Sequence, residues 1–158
     1  MSSRDWRSID IDALEPENHI TKEELIPPNL PTYSNQEIQE VANQIRSQLS
    51  QGKFQQALEL GLNNIPFGST TQIKEIHQKT IFEIFCSIKN NISNNEIDEI
   101  IKNLNQEQQD NLIKYLYVNM STSYGQKQGG LLLNWFEKII EIVGIGSIAR
   151  YLTDRRTV

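Results

Sequence analysis

A single cysteine, Cys86, is the only thiol in this chain, so no internal disulfide can staple it. Proline is scarce as well: four of the five, Pro16, Pro27, Pro28 and Pro31, fall in the first 33 residues, which leaves the rest free to run as helix. No apolar run reaches the ~18 residues a membrane-spanning helix needs, which argues against membrane insertion. Basic residues are outnumbered 15 to 20 and the net charge is −5, so no global field draws nucleic acid. The opening stretch, SSRDWRSIDID, lacks the apolar centre of a secretory signal. The expectation is a chain in the reducing cytosol, where the sequons at Asn91 and Asn119 carry no meaning. There is no phosphate-binding glycine loop and no G-x-S-x-G elbow. An acid, a base and a nucleophile cannot be assembled from what remains. The reading is therefore no enzyme, no cofactor and no metal.

What is abundant is amide. Asn and Gln together number 29. They sit on polar helix faces and in loops, in place of Lys and Glu, which reads as compositional bias rather than as aggregation tracts.

Residues 1–33 differ from the rest. Arg4, Arg7 and Lys22 face seven acidic residues there, a net of −4. Yet Trp6, Ile9, Ile11, Leu14, Ile20, Leu25 and Ile26 are too many large apolar groups for a solvated tail. Fixing about thirty residues costs more backbone entropy than burying seven side chains returns, so the segment cannot order alone. It reads as an extended arm that orders in patches on partners. Ile9 and Ile11 alternate with Asp10 and Asp12 at the period of a strand. Two isoleucines would face a partner, and two carboxylates would face water or basic groups. A calcium site there would need six or more oxygens in a closed loop, and the required glycine is missing.

From Ser34 onward the pattern is helical, and the expected fold is all-α: a compact stack of about seven helices in hairpins, spanning 34–158. Four starts carry cap-x-x-Glu/Gln spacing: Ser34 with Glu37, Ser69 with Gln72, Ser93 with Glu96, and Asn105 with Gln108. The first helix aligns Ile38, Val41, Ala42, Ile45 and Leu49 and stops at Gly52. A short second one holds Phe54, Ala57, Leu58 and Leu62. A third, from about Thr70 to Lys89, turns Ile73, Ile76, Ile81, Ile84, Phe85 and Ile88 inward. A fourth carries Ile97, Ile100, Ile101 and Leu104, and a fifth Leu112, Ile113, Leu116 and Met120. A loop with Tyr124, Gly125, Gly129 and Gly130 leads to the final pair. Ser50–Leu60 resembles the hinge of a tetratricopeptide repeat, but one copy without a roughly 34-residue period reads as an ordinary helical hairpin. His77, on the third helix's apolar arc, reads as a packed, hydrogen-bonded core histidine. His19 lies in the arm and Cys86 about 180° around the helix, so neither completes a ligand set. Cys86 has no basic neighbour to make it a nucleophile.

The last 28 residues are the most informative, LLLNWFEKIIEIVGIGSIARYLTDRRTV. At 100° per residue their first helix is apolar over roughly 200°, where a surface helix needs about 100°. Such a helix is either central to the fold or shares a flank with another protein. Gly144 sits where a left-handed C-cap belongs. Arg150, Arg155 and Arg156 form a cluster too small for nucleic acid. Dipole complementation by Arg150 and contact with a partner's acidic groups explain it better.

These residues also carry a resemblance. W-x-E-K, followed by G-x-G-S-I-x-R-x-L-T-x-R-[KR]-T-V, is similar to the C-terminal motif of the smallest subunit of the actin-related protein 2/3 complex, the subunit 5 family. The matching positions are Trp135, Glu137, Lys138, Gly144, Gly146, Ser147, Ile148, Arg150, Leu152, Thr153, Arg155, Arg156, Thr157 and Val158. L-I-K-Y-L-Y at Leu112–Tyr117 and W-R-S-I-D-I-D at Trp6–Asp12, with Glu17 and Asn18 after it, resemble further family segments. Phe136 departs from the motif by being more apolar. The resemblance implies a non-catalytic subunit of the complex that nucleates branched actin filaments, in the cytoplasm and cytoskeleton at the cell cortex and leading-edge protrusions. It implies a core docked on subunit 4 and near the β-propeller subunit 1, an arm reaching actin-related protein 2, and only indirect contact with the filament. The arm residues expected at partners are Trp6, Arg7, Ile9, Asp10, Ile11 and Asp12. Those of the core are Trp135, Ile148, Arg150, Leu152, Arg155, Arg156 and Val158. The rival reading is a helical-repeat adaptor unrelated to actin.

Overall fold

A computed structural model describes Ile20 and residues 24–158. The described residues form eight helices and no strand: α1 (Asn35–Ser50), α2 (Phe54–Asn63), α3 (Thr71–Asn91), α4 (Asn94–Asn103), α5 (Gln106–Ser121), α6 (Ser123–Lys127), α7 (Gly129–Val143) and α8 (Gly146–Thr153). The all-α expectation holds, with one helix more than anticipated. The extra one is α6, in the stretch read as a loop. Thr122 caps it by accepting from the Gly125 amide at 3.1 Å, and Gly129 and Gly130 already belong to α7.

Three of the four expected capping boxes close, at Ser34, Ser93 and Asn105. The fourth does not. Thr70 stands at the start of α3, and the Ser69 hydroxyl instead accepts from the Tyr33 amide at 2.7 Å. That bond, with Gly68 N–H donating to the Pro31 carbonyl at 2.9 Å, pins the end of the arm to the α2–α3 connection. Leu30 packs on the core beside it.

α1 and α2 form a hairpin closed at Gly52, whose φ of 73° is the left-handed geometry that glycine adopts without strain. The hairpin packs on α3. A bidentate pair, Arg46 to Glu83 at 2.9 and 3.0 Å, ties α1 to α3 at the surface. α5 is the central helix. It touches α2, α3, α6, α7 and α8, and every residue from Asn111 to Leu116 is buried. Its polar side chains survive burial because each has a partner. Asn119 donates to the Tyr115 carbonyl at 2.8 Å, Gln108 donates to Asn63 at 3.0 Å, and Lys114 donates to Asp154 at 2.6 Å.

His77 is a core histidine, as its position on α3 suggests. Its Nδ1 lies 2.7 Å from the Tyr115 hydroxyl, and its Nε2 has no partner among the described residues. Burial pushes its pKa down to about 4 from the usual 6.5. The folded chain therefore refuses a proton that the unfolded chain takes up below about pH 6.5. Stability is complete above that pH, falls as pH drops from 6.5 toward 4, and loses about 3 kcal/mol in all from this one group. Thermal melts between pH 7.5 and 5 should show the decline in the native protein, and a His77→Gln variant should show a much flatter profile. Equal slopes in the two would assign the decline to other groups.

Candidate docking surface

α7 is the apolar helix whose wide arc the sequence left with two readings. Its fully buried stripe is only Leu132, Trp135 and Ile139, facing α3, α4 and α5. Lys138 fastens it to α4 through Asp98. The other apolar residues, Leu131, Phe136, Ile140, Ile142 and Val143, are half-buried. Leu133 is 61% exposed. The chain covers one flank of α7 and leaves the second partly open. Gly144 then ends the helix at φ 85°, ψ 167°, a backbone region that only glycine enters freely. The next residue, Ile145, is 76% exposed, and Leu152 on α8 is 73% exposed.

Aromatic rings bind this face together. Phe136 of α7 meets Tyr117 of α5 edge-on, with centroids 5.4 Å apart and planes at 79°. Tyr117 stacks on Tyr151 of α8 at 4.4 Å and 5°. All three rings are half-buried. The large exposed hydrophobics among the described residues are six. Leu133, Ile145 and Leu152 lie on α7 and α8 or between them, and Ile20, Leu25 and Ile26 lie in the arm. Scattered exposed leucines are ordinary; among the described residues, the large exposed hydrophobics fall on one helix pair and on the segment before α1.

The residues expected at partners are distributed unevenly. Leu152 and Arg155 are exposed, and Ile148 is half-buried. Trp135 is 0% exposed, its ring 5.2 Å from that of Phe85, and Val158 lies in the same core. Placing these two at a partner is corrected: both serve this chain's own interior. Arg150 is also engaged at home, where Asp110 of α5 accepts from its Nε at 2.8 Å and its second terminal nitrogen at 2.8 Å. That bond lifts its pKa. Arg156 donates to Asp154 at 2.8 Å, approaches Glu107 at 3.7 Å, and lies 5.0 Å over the Phe67 ring. The acid partners foreseen for these arginines are this chain's own. Trp6, Arg7, Ile9, Asp10, Ile11 and Asp12 lie outside the described residues.

Lys114 anchors the C-terminal segment. Its side chain is 3% exposed, its Nζ meets Asp154, and it sits 4.8 Å over Phe67. Burial lowers its pKa against the opposing pull of Asp154. For Asp154, burial acts to raise the pKa but is outweighed by bonds from Arg156 and Lys114, and the carboxyl stays well below the usual range. Sequence reasoning missed Lys114 and Asp110. Their signal was a forty-residue spacing between opposite charges, which no local pattern displays. A cleft of about 350 Å³ opens between Pro27–Pro31 and the α2–α3 connection, lined also by Phe67, Asn111 and Arg156. Among the described residues, no group of three His, Cys, Asp or Glu side chains is placed to hold a metal ion.

The family described as "ARP2/3 complex 16 kDa subunit (p16-Arc)" matches residues 5–158. The chain belongs to this family. It is 41% identical to "Actin-related protein 2/3 complex subunit 5" of Saccharomyces cerevisiae, over 98% of each chain. It is 31% identical to "Actin-related protein 2/3 complex subunit 5-B" of Xenopus laevis, covering 100% of this chain and 97% of that one. It is 32% identical to the human "Actin-related protein 2/3 complex subunit 5-like protein", over 70% of this chain and 69% of that one. In this chain, then, Trp135 and Val158 build the core, Arg150 and Arg156 tie α8 and the segment after it to α5 and Asp154, and Leu152 is left facing outward.

Proposed function

We propose that this chain is a non-catalytic structural subunit of an actin-related protein 2/3 complex, the assembly that nucleates branched actin filaments in the cytoplasmic actin cytoskeleton at the cortex and leading-edge protrusions. Its helical core docks through the open flank of α7 and through α8 on neighbouring subunits, subunit 4 and the β-propeller subunit 1. Its arm, with Trp6, Ile9 and Ile11 as anchors, tethers actin-related protein 2. The carrying observation is the exposure of large apolar side chains, Leu133, Ile145 and Leu152, on a helix pair whose inward stripe, Leu132, Trp135 and Ile139, is buried. Family membership supports the choice of partners.

Tethering suits an extended arm. A flexible link holds a mobile neighbour at high effective concentration, so modest contacts suffice and large repositioning is tolerated. The arm has a root: bonds at Pro31 and Tyr33 fix where it leaves the core.

Substituting Leu152 and Ile145 together by aspartate removes apolar contact without touching the core. The double variant is expected to keep its melting temperature within about 2 °C while its recovery in the assembled complex falls at least ten-fold. Deleting residues 1–23 should leave the core and its assembly intact but weaken retention of actin-related protein 2 at high salt. Full assembly of the double variant would refute the docking face, and undiminished retention after the deletion would refute the tether.

A further inference from the structure

We propose that Thr157 is a phosphorylation site for basophilic Ser/Thr kinases, and that its phosphate fastens residues 154–158 to α3 through Lys74. This segment is a strap across the core. Lys114 holds it at Asp154, Arg156 lies on Phe67, and Val158 is buried while its carbonyl accepts from Gln78 at 3.0 Å. Thr157 is the exposed member between two fixed ones. Its carbonyl and its Oγ1 both accept from Lys74 Nζ, at 2.8 and 3.0 Å.

Lys74 is an ammonium in neutral company. Among the described residues no carboxylate forms an ion pair with it, and partial burial lowers its pKa with no charge to offset the cost. A phosphate on Oγ1 would bring close to two negative charges and three strong acceptors to that nitrogen. Arg155, two positions before Thr157, is exposed and is in none of the ion pairs among the described residues. It is free to meet a kinase's acidic subsite, and the apolar Val158 follows the acceptor.

The chemistry needs Mg-ATP and a kinase. Thr157 Oγ1 attacks the γ-phosphorus, the bond to the β,γ-bridging oxygen breaks, and ADP leaves. The hydroxyl proton passes to the kinase's base.

The test treats the full chain with Mg-ATP and the catalytic domain of protein kinase C, maps phosphate by mass spectrometry, and then compares melts. Phosphate is expected at Thr157 and absent from that position in Thr157→Val. The melting temperature should rise by about 3 °C on phosphorylation. The rise should vanish in Lys74→Met, which remains a substrate. No phosphate at Thr157 under conditions that modify a control peptide would overturn the site. A melting temperature that stays level or falls, or an equal rise in Lys74→Met, would overturn the fastening.

Discussion

Replacing Trp135 by alanine should lower stability by about 3–5 kcal/mol, the range for deleting a large buried aromatic. The ring is fully buried and packs against Phe85 from α3, so its loss opens a cavity where α3 and α7 meet. For a domain stabilised by about 5–15 kcal/mol this approaches or reaches unfolding at physiological temperature. Trp135→Phe should cost far less, about 1–2 kcal/mol, because among the described residues the indole Nε1 has no hydrogen-bond partner to forfeit. Urea titration followed by circular dichroism measures both. If the alanine variant lost less than about 1 kcal/mol, the ring would not be the core anchor described here, and its place in the family motif would need an intermolecular reason.

The second large effect is an asymmetry at the root of the strap. Asp154→Ala leaves the Lys114 ammonium buried with its carboxylate gone. Breaking a buried pair from one side typically costs about 3–5 kcal/mol. Lys114→Met keeps the stem over Phe67 and removes the charge, while Asp154 retains two bonds from the Arg156 side chain and one from its amide. That variant should lose less than about 1 kcal/mol. Melting of the two single variants and the double variant decides the matter. Asp154→Ala should be much the worst, and adding Lys114→Met to it should restore most of the loss. Equal single effects would mean that the pair stabilises by simple attraction rather than by shared desolvation.

Local chemistry was legible in the sequence, and long-range pairing was not. The helices with a clean stripe, α1, α3 and α4, emerged with their inward residues, because period and burial agree there. Three capping boxes emerged for the same reason. Ser69 misled because its hydroxyl found a partner 36 residues away, in Tyr33, stronger than the local one. α6 was hidden because five residues with a central glycine carry no period to read. The centre of the fold is not where the most apolar helix lies. Hydropathy favours α7, yet α5 is the helix buried on all sides, and its Asn111, Lys114 and Asn119 look like surface residues until their partners are placed. The same blindness affected the site. Trp135 and Val158 in the C-terminal motif read as interface, and packing put them inside. Arg150 reads as a group awaiting a partner's acid, and Asp110 supplies it from α5. What the sequence conveyed about α7 was quantity: the helix carries more apolar surface than one flank of it buries.

Hydroxyl-radical footprinting of the full chain, free and within the assembled complex, measures that surplus directly. It reports the solvent exposure of individual side chains. Leu133, Ile145 and Leu152 should oxidise readily in the free chain and several-fold more slowly in the complex, while Tyr33, half-buried on the core near the arm's root, serves as an internal reference. Unchanged rates at all three residues on assembly would mean that no neighbour covers the α7–α8 face, and the account of this chain as a subunit docked through it would fail.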